Sequence, residues 1–180
     1  MDVQMIKEIL ANWPGTIDNN LFNSISFTKI DMPNGWLGNM SRHALRVPRA
    51  PGGTLYPTAE HYFQCERFSD PTIRQAILDK SSPMSCKMIA KKHREHMTIK
   101  QYSLEDLDLM RRTIRFKLEN HHPILRDQLL ALPEDGIIIE DATARRGESA
   151  GFWGMRLAGD TWTGQNWLGR LWMELRLELA

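Results

Sequence analysis

The stretch Thr58-Ala59-Glu60-His61-Tyr62-Phe63-Gln64-Cys65-Glu66-Arg67-Phe68 decides how the rest of the chain is arranged. Pro57 prevents a helix from running further back, and the Thr58 side chain can cap the amides that follow. A helix is therefore predicted to begin here. Its apolar residues spread around most of the helix circumference, which predicts that the helix is largely buried.

The polar residues of this helix form one stripe, because Glu60, Gln64 and Arg67 recur at i, i+4 and i+7. One interpretation is that an ion pair and an amide seal a side of the helix that reaches solvent. The other is that Glu60 lines a cleft, where the helix dipole favours its charged form and burial disfavours it. A carboxylate under such opposed influences can serve as acid, base or charge stabiliser.

Composition limits the class of protein. With 180 residues and 42% hydrophobic content, the chain can form one domain with a proper core. A net charge of +1 argues against binding bulk nucleic acid by charge alone, although a local basic patch stays open. Cys65 and Cys86 lack CxxC spacing and are typical of free thiols in a reducing compartment. The N-terminal residues show no leader pattern and no segment has transmembrane length, so we expect a soluble cytoplasmic protein without membrane contact.

The remaining periodicity predicts an α+β fold, a mostly helical single domain with a small β-sheet. We expect a helical N-terminal extension over residues 1–24 and one enzyme domain over residues 25–180. Strands are predicted at residues 25–30, 45–47, 54–56 and 136–140, with a hairpin-like connection at 48–53. Helices are predicted at about 5–11, 58–68, 70–80, 82–94, 103–120, 122–132 and from 166 onward, with a long connection over 141–165.

A lysine interrupts the apolar stripe of the long helix at 103–120. Lys117 lies nearly in line with Met110, seven residues earlier, and close to the stripe through Ile114. Such a lysine commonly reaches out to solvent at the helix end. The alternative is an amine held in a pocket with a lowered pKa, which is how lysines become nucleophiles.

Two further patterns are less specific. The segment Gly164-Gln165-Asn166-Trp167-Leu168-Gly169 begins the last helix, where free amides could bind phosphate or ribose oxygens. Close helix packing through Gly169 explains the segment equally well. His93 and His96 are one helical turn apart but have no carboxylate or cysteine at a recognised spacing, so we expect no metal site and no cofactor.

Taken together, the motifs resemble the NADAR (YbiA-like) family from about Ile25 to Leu179. They are Gly35-Trp36-Leu37-Gly38-Asn39-Met40, Pro57-Thr58-Ala59-Glu60-His61-Tyr62-Phe63-Gln64, Ser82-Pro83-Met84, Lys117-Leu118-Glu119-Asn120, Trp153-Gly154 and Gly164-Gln165-Asn166-Trp167-Leu168-Gly169. Their order and spacing make the resemblance more specific than any one motif.

The resemblance implies a compact, mostly helical N-glycosidase that cuts a ribose–base bond. Its substrates would be early phosphoribosyl-aminopyrimidine intermediates of riboflavin synthesis, or guanine carrying ADP-ribose. By position, Glu60 matches the family's active-site glutamate and Lys117 its lysine, both catalytic. Asn39, Trp153, Asn166 and Gly169 match pocket-forming positions of the family. From the residues themselves we also expect Trp36, Gln64, Arg67, Arg145, Arg146 and Gly154 to bind substrate.

The sequence also departs from the family pattern. Many members have lysine at Arg67, tryptophan at Tyr102 and aspartate at Ala150. If that aspartate is needed, Asp141 or Glu148 would have to replace it. The lengthened segment with Arg145 and Arg146 favours a diphosphate, because guanidinium groups match phosphate oxygens. The alternative is that both arginines belong to a solvated loop without a ligand.

We therefore expect ADP-ribosylated guanine, carried by DNA or RNA, as the preferred substrate. Three alternatives stay open at this point. They are a riboflavin-type phosphoribosyl substrate, a non-catalytic reader of ADP-ribose or nucleotides, and a partner-binding module that uses exposed tryptophans.

Overall fold

The computed structural model describes residues 3–48 and 53–180. Most of the connection predicted at 48–53, namely residues 49–52, lies outside the described residues. The described chain is α+β and mostly helical, as predicted. Its helices are α1 Val3–Ala11, α2 Ala59–Glu66, α3 Pro71–Leu78, α4 Pro83–Lys92, α5 Leu104–Asn120, α6 Ile124–Leu130, α7 Glu148–Trp153 and α8 Trp167–Leu179. Its strands are β1 Thr16–Asp18, β2 Ser24–Phe27, β3 Leu45–Val47, β4 Thr54–Tyr56, β5 Ile137–Glu140, β6 Arg156–Ala158 and β7 Thr161–Thr163.

Two compact units can be distinguished, and the first comprises Met1–Gly38 and Ile124–Ala180. In its centre, β2 pairs in parallel with β5, from Ser24 opposite Ile137 to Phe27 opposite Glu140. The three isoleucines of β5 are fully buried, and α8 packs against this strand. A second sheet is antiparallel in the order β1-β7-β6. The core of this unit therefore forms around β5.

The second unit comprises Asn39–Pro123 and contains the helix predicted to begin at Thr58. Helix α2 packs against α3, α4 and α5, while β3 and β4 form an antiparallel hairpin. Thr58 caps α2, since its hydroxyl accepts a hydrogen bond from the His61 amide at 3.3 Å. Every residue from Ala59 to Cys65 is buried, as the distribution of apolar residues predicted.

The assignment of residues 141–165 to one long connection is wrong. This segment contains α7, β6 and β7, and the two strands form a hairpin around Gly159, whose φ is +58°. Strand β6 has no buried residue, so no apolar alternation marks this hairpin in the sequence. The strand predicted over residues 25–30 ends earlier, at Phe27, because hydrogen-bonded turns follow from Lys29 to Gly35.

The first 24 residues contain a strand as well as a helix. Strand β1 pairs with β7 inside the first unit, with Ile17 opposite Trp162. The division into an extension of residues 1–24 and an enzyme domain of residues 25–180 stays a prediction. None of the helices in the described part of the chain has the length and apolar character that crossing a membrane requires.

Candidate active site

The polar stripe of α2 is buried instead of facing solvent. Only 5% of Glu60 is exposed, and Gln64 and Arg67 are buried as well. The Gln64 amide donates from Nε2 to Glu60 Oε1 at 2.8 Å, and Arg67 donates from Nη1 to Gln64 Oε1 at 3.3 Å. The interpretation that this stripe seals a solvent-facing side is therefore excluded.

The stripe ends in a buried ion pair with Asp106, a residue that sequence reasoning did not select. Arg67 donates from Nε and Nη2 to the two carboxylate oxygens of Asp106, at 2.8 and 2.6 Å. Asp106 also accepts from the Tyr102 amide at 2.9 Å. Because Arg67 occupies the Gln64 oxygen, the Gln64 NH₂ group must point to Glu60. The ion pair thus orients the carboxylate of Glu60 through one intervening amide.

Lys117 is fully buried on α5, with 0% exposure, so it does not reach out to solvent at the helix end. Its Nζ donates to the Ser41 hydroxyl at 2.7 Å. Burial penalises the ammonium form and lowers the pKa of Lys117 from 10.5 to about 7. At neutral pH a large fraction of this side chain is therefore the uncharged amine, the form that can attack an electrophilic carbon.

The segment Asn39–Ser41 contacts both predicted catalytic residues. The Asn39 carbonyl accepts from the Glu60 amide at 3.0 Å, and Ser41 accepts from Lys117. The side-chain amide of Asn39 donates to Met110 Sδ at 3.1 Å. Asn39 is 6% exposed, and its Oδ1 has no hydrogen-bond partner within the described residues. A buried acceptor of this kind suits a hydroxyl group of a ligand.

Cys86 was not predicted near the site, but it is buried on α4, which packs against the helix α2 that carries Glu60. Burial and the charge of Glu60 both raise the pKa of the Cys86 thiol, and Sγ donates to the Pro83 carbonyl at 3.1 Å. Cys86 is therefore an uncharged thiol near Glu60 and not a nucleophile. Within the described residues, no group of three or more His, Cys, Asp or Glu side chains could hold a metal ion.

Three predicted binding positions of the first unit surround strand β5. The Asn166 side chain accepts from the Glu140 amide at 3.1 Å and donates to the Ile138 carbonyl at 2.8 Å. A Cβ atom on Gly154 would lie 2.3 Å from the Glu140 oxygen, and one on Gly169 would lie 2.2 Å from the Ile138 oxygen. These residues hold β5 in place; their contact with substrate stays a prediction.

The two tryptophans predicted to stack on a base differ in exposure. Trp36 lies in a 3-10 turn over Gly35–Leu37 and is half-buried. Its ring is edge-on to that of Trp172, with the ring centroids 5.7 Å apart. Trp153 is 7% exposed and packs edge-on against Phe152 at 4.9 Å. Trp36 therefore presents more ring surface than Trp153 does.

The two arginines that motivated the substrate prediction also differ. Arg145 Nη1 lies 2.9 Å from Glu140 Oε1, although 42% of its side chain stays exposed. Arg146 is exposed and has no ion-pair partner among the described residues. Arg146 is thus the more available of the two for an external phosphate.

The position of the family aspartate is filled by Ala150, which is buried in α7. Of the two acids considered as replacements, Asp141 accepts the Thr143 amide at 2.8 Å and Glu148 is exposed in the first turn of α7. Both lie in the first unit, whereas Glu60 and Lys117 lie in the second. The replacement of this aspartate stays an open prediction.

Residues 26–180 match the family model described as the NADAR domain. The chain belongs to the NADAR family. N-glycosidase YbiA of Shigella flexneri is 34% identical over 143 residues, which cover 79% of this NADAR chain and 82% of the relative. A riboflavin biosynthesis protein of Vibrio vulnificus is 26% identical, covering 89% of this chain and 40% of the relative. The NMR structure of Escherichia coli YbiA superposes with a TM-score of 0.69 at 30% identity, covering 91% of this chain and 86% of the other.

Proposed function

We propose that this NADAR enzyme, an N-glycosidase, acts on guanine that carries ADP-ribose and releases the ADP-ribose. The N-glycosidase class is supported by the family and by relatives that bear this name. The observation that carries the mechanism is the fully buried amine of Lys117, whose pKa is lowered to about 7. The same compact unit contains the buried carboxylate of Glu60.

Lys117 is the nucleophile in this mechanism. Its uncharged amine attacks the ribose C1 carbon, and the bond from C1 to the base nitrogen breaks. The base leaves with the electron pair and takes up a proton. The ribose ring then opens to a Schiff base as its ring oxygen takes up a proton, and water hydrolyses the Schiff base to free sugar and amine.

Glu60 handles charge and protons in the same steps. Cleavage of the glycosidic bond develops positive charge on the sugar, and a carboxylate stabilises that charge. Glu60 also accepts the proton that the attacking amine loses. The chain from Glu60 through Gln64 to Arg67 and Asp106 holds the carboxylate in one orientation.

Two features support ADP-ribose as the transferred group. Arg146 is an exposed guanidinium, and such a group pairs with phosphate oxygens in a planar, bidentate manner. Asn39 Oδ1 is a buried acceptor without a hydrogen-bond partner in the described residues, which suits a ribose hydroxyl.

A phosphoribosyl-aminopyrimidine is the second candidate substrate. It is favoured by the riboflavin biosynthesis proteins of Vibrio vulnificus and Zea mays that resemble this chain. Both candidates present the same bond between ribose and a base nitrogen. ADP-ribosyl guanine carries a diphosphate, whereas the phosphoribosyl-aminopyrimidine carries a single phosphate. The effect of removing the arginines on kcat/KM therefore distinguishes the two substrates.

The test measures kcat/KM on an ADP-ribosylated guanine oligonucleotide and on a phosphoribosyl-aminopyrimidine. Wild type should release ADP-ribose and prefer the oligonucleotide. Replacing Arg145 and Arg146 with alanine should lower kcat/KM at least tenfold on ADP-ribosyl guanine and less than threefold on the phosphoribosyl substrate. Arg112→Ala, on the exposed face of α5, is the matched control and should change neither value.

An equal loss on both substrates, or no loss on either, would contradict the substrate assignment and leave the N-glycosidase class intact. Binding of ADP-ribose without any turnover would instead identify a non-catalytic reader. The absence of both binding and turnover would favour a partner-binding module.

A further inference from the structure

A fully buried lysine that titrates near neutral pH needs a route by which its proton reaches water. Lys117 has no exposed surface, and Ser41, whose hydroxyl it contacts, is 2% exposed. On the other side of that hydroxyl, Ser41 Oγ lies 3.0 Å from His43 Nδ1. The ring of His43 is only half-buried. Ser41 therefore links the buried amine to a side chain that reaches solvent.

We propose that Ser41 and His43 form a proton relay that carries the ammonium proton of Lys117 to water. Ser41 accepts the Lys117 proton on Oγ while its own hydroxyl proton passes to His43 Nδ1, and His43 then releases a proton to water. The amine is left uncharged, and Ser41 regains its hydroxyl proton. The relay deepens the proposed function and rests on it in one respect, namely that the uncharged amine is the form that reacts.

The surroundings of His43 favour the protonation state that the relay requires. Its ring stands edge-on to His121, with centroids 5.0 Å apart. His121 Nε2 lies 2.8 Å from the Ala44 carbonyl, which can only accept, so this nitrogen carries the hydrogen. Burial, then Lys117 and then His121 lower the pKa of His43 to about 4. His43 is therefore uncharged at neutral pH, and its Nδ1 can accept from Ser41.

His43 acts as a transient carrier and does not store the proton. The pKa values of Lys117 and His43 are about 7 and about 4, a difference of three units that places about one proton in a thousand on His43. The elements that pack most extensively against α5 are α2 and β3. The ionisable residues of α2 are Glu60, His61, Tyr62, Cys65 and Glu66, Arg67 follows directly after α2, and β3 contains Arg46.

Exchange of the Lys117 Nζ hydrogens with water, measured by NMR at pH 6, tests the relay without any substrate. Ser41→Thr and Ser41→Val have nearly the same shape and differ in the hydroxyl group. We expect exchange at least tenfold slower in Ser41→Val than in Ser41→Thr. His43→Phe should slow exchange to a similar extent, whereas His121→Phe, which removes the neighbouring ring, should change it less than twofold.

Equal exchange rates in Ser41→Thr and Ser41→Val would overturn the relay, as would a His43→Phe rate equal to that of wild type. The slowing predicted for Ser41→Val and His43→Phe supports it. These outcomes do not depend on turnover. If wild type cleaves no ribosyl substrate while the exchange rates follow the prediction, the proposed function fails and the relay stands.

Discussion

Replacement of Lys117 with methionine should stabilise the protein while abolishing its chemistry. Burial of the charged amine lowers the pKa from 10.5 to about 7, which is 3.5 units. At 1.36 kcal/mol per unit, the penalty on the charged form is about 5 kcal/mol. Methionine has a similar length and carries no charge, so it removes the penalty. It also removes the hydrogen bond to Ser41, which contributes about 1 kcal/mol.

The pH dependence of the stability gain tests the lowered pKa of Lys117 more directly than the size of the gain does. The folded-state pKa lies below the unfolded value, so the penalty is fully present below pH 7 and fades as pH rises to 10.5. It amounts to about 4 kcal/mol at pH 7 and about 2 kcal/mol at pH 9. The stability advantage of Lys117→Met over wild type should therefore shrink by about 2 kcal/mol between these two values.

The assay is unfolding in urea at pH 7, 8 and 9, followed by circular dichroism at 222 nm. Tryptophan fluorescence is a poor reporter, because all six tryptophans lie in the first compact unit and Lys117 lies in the second. Lys100→Met, at an exposed position of the second unit, is the control and should show no change with pH relative to wild type. An advantage for Lys117→Met that does not vary between pH 7 and pH 9 would refute the lowered pKa and, with it, the near-neutral amine.

Three further substitutions test the site and its framework. Glu60→Gln should leave the helical circular dichroism unchanged and reduce turnover by about a hundredfold or more, and near-normal turnover would remove Glu60 from the mechanism. Arg67→Met leaves Asp106 as an unpaired buried charge and should lower the free energy of unfolding in urea by about 3–5 kcal/mol. Adding Asp106→Leu should restore much of that free energy, and no restoration would show that the two residues are not coupled. Gly169→Ala places a Cβ atom 2.2 Å from the Ile138 oxygen and should lower the melting temperature by several degrees, whereas an unchanged value would contradict the close packing of α8 on β5.

Much of the second unit could be predicted because its signals are local. Pro57 and Thr58 mark the start of α2, and the i, i+4, i+7 spacing of Glu60, Gln64 and Arg67 places them on one side of it. Whether that stripe is buried or faces solvent could not be predicted in the same way. Its partner Asp106 lies 39 residues from Arg67 in the chain, at a helix start where an acidic residue is also explained by the helix dipole.

For Lys117, the apolar pattern of the helix predicts where the residue lies but not whether its amine is buried. Its place in the apolar stripe was evident, but whether the amine reaches solvent depends on Ser41, which is 76 residues away. The Gly164–Gly169 motif has the same ambiguity. Glycine at residue 169 suits an approach by phosphate or by another backbone, and the structure shows the Ile138 carbonyl at that point. The hairpin of β6 and β7 was missed because β6 has no buried residue and therefore no apolar alternation.

The measurement that bears most directly on the mechanism is reductive trapping of the enzyme during turnover. Wild type is incubated with ADP-ribosylated guanine oligonucleotide and cyanoborohydride, and the adduct is located by peptide mass spectrometry. We expect a ribosyl adduct on Lys117 whose initial rate of formation is roughly tenfold higher at pH 8 than at pH 6, as the amine loses its proton near pH 7. Lys100 serves as the internal control and should carry none. Release of ADP-ribose without any adduct on Lys117 would contradict the covalent mechanism and leave attack by water, assisted by Glu60, in its place.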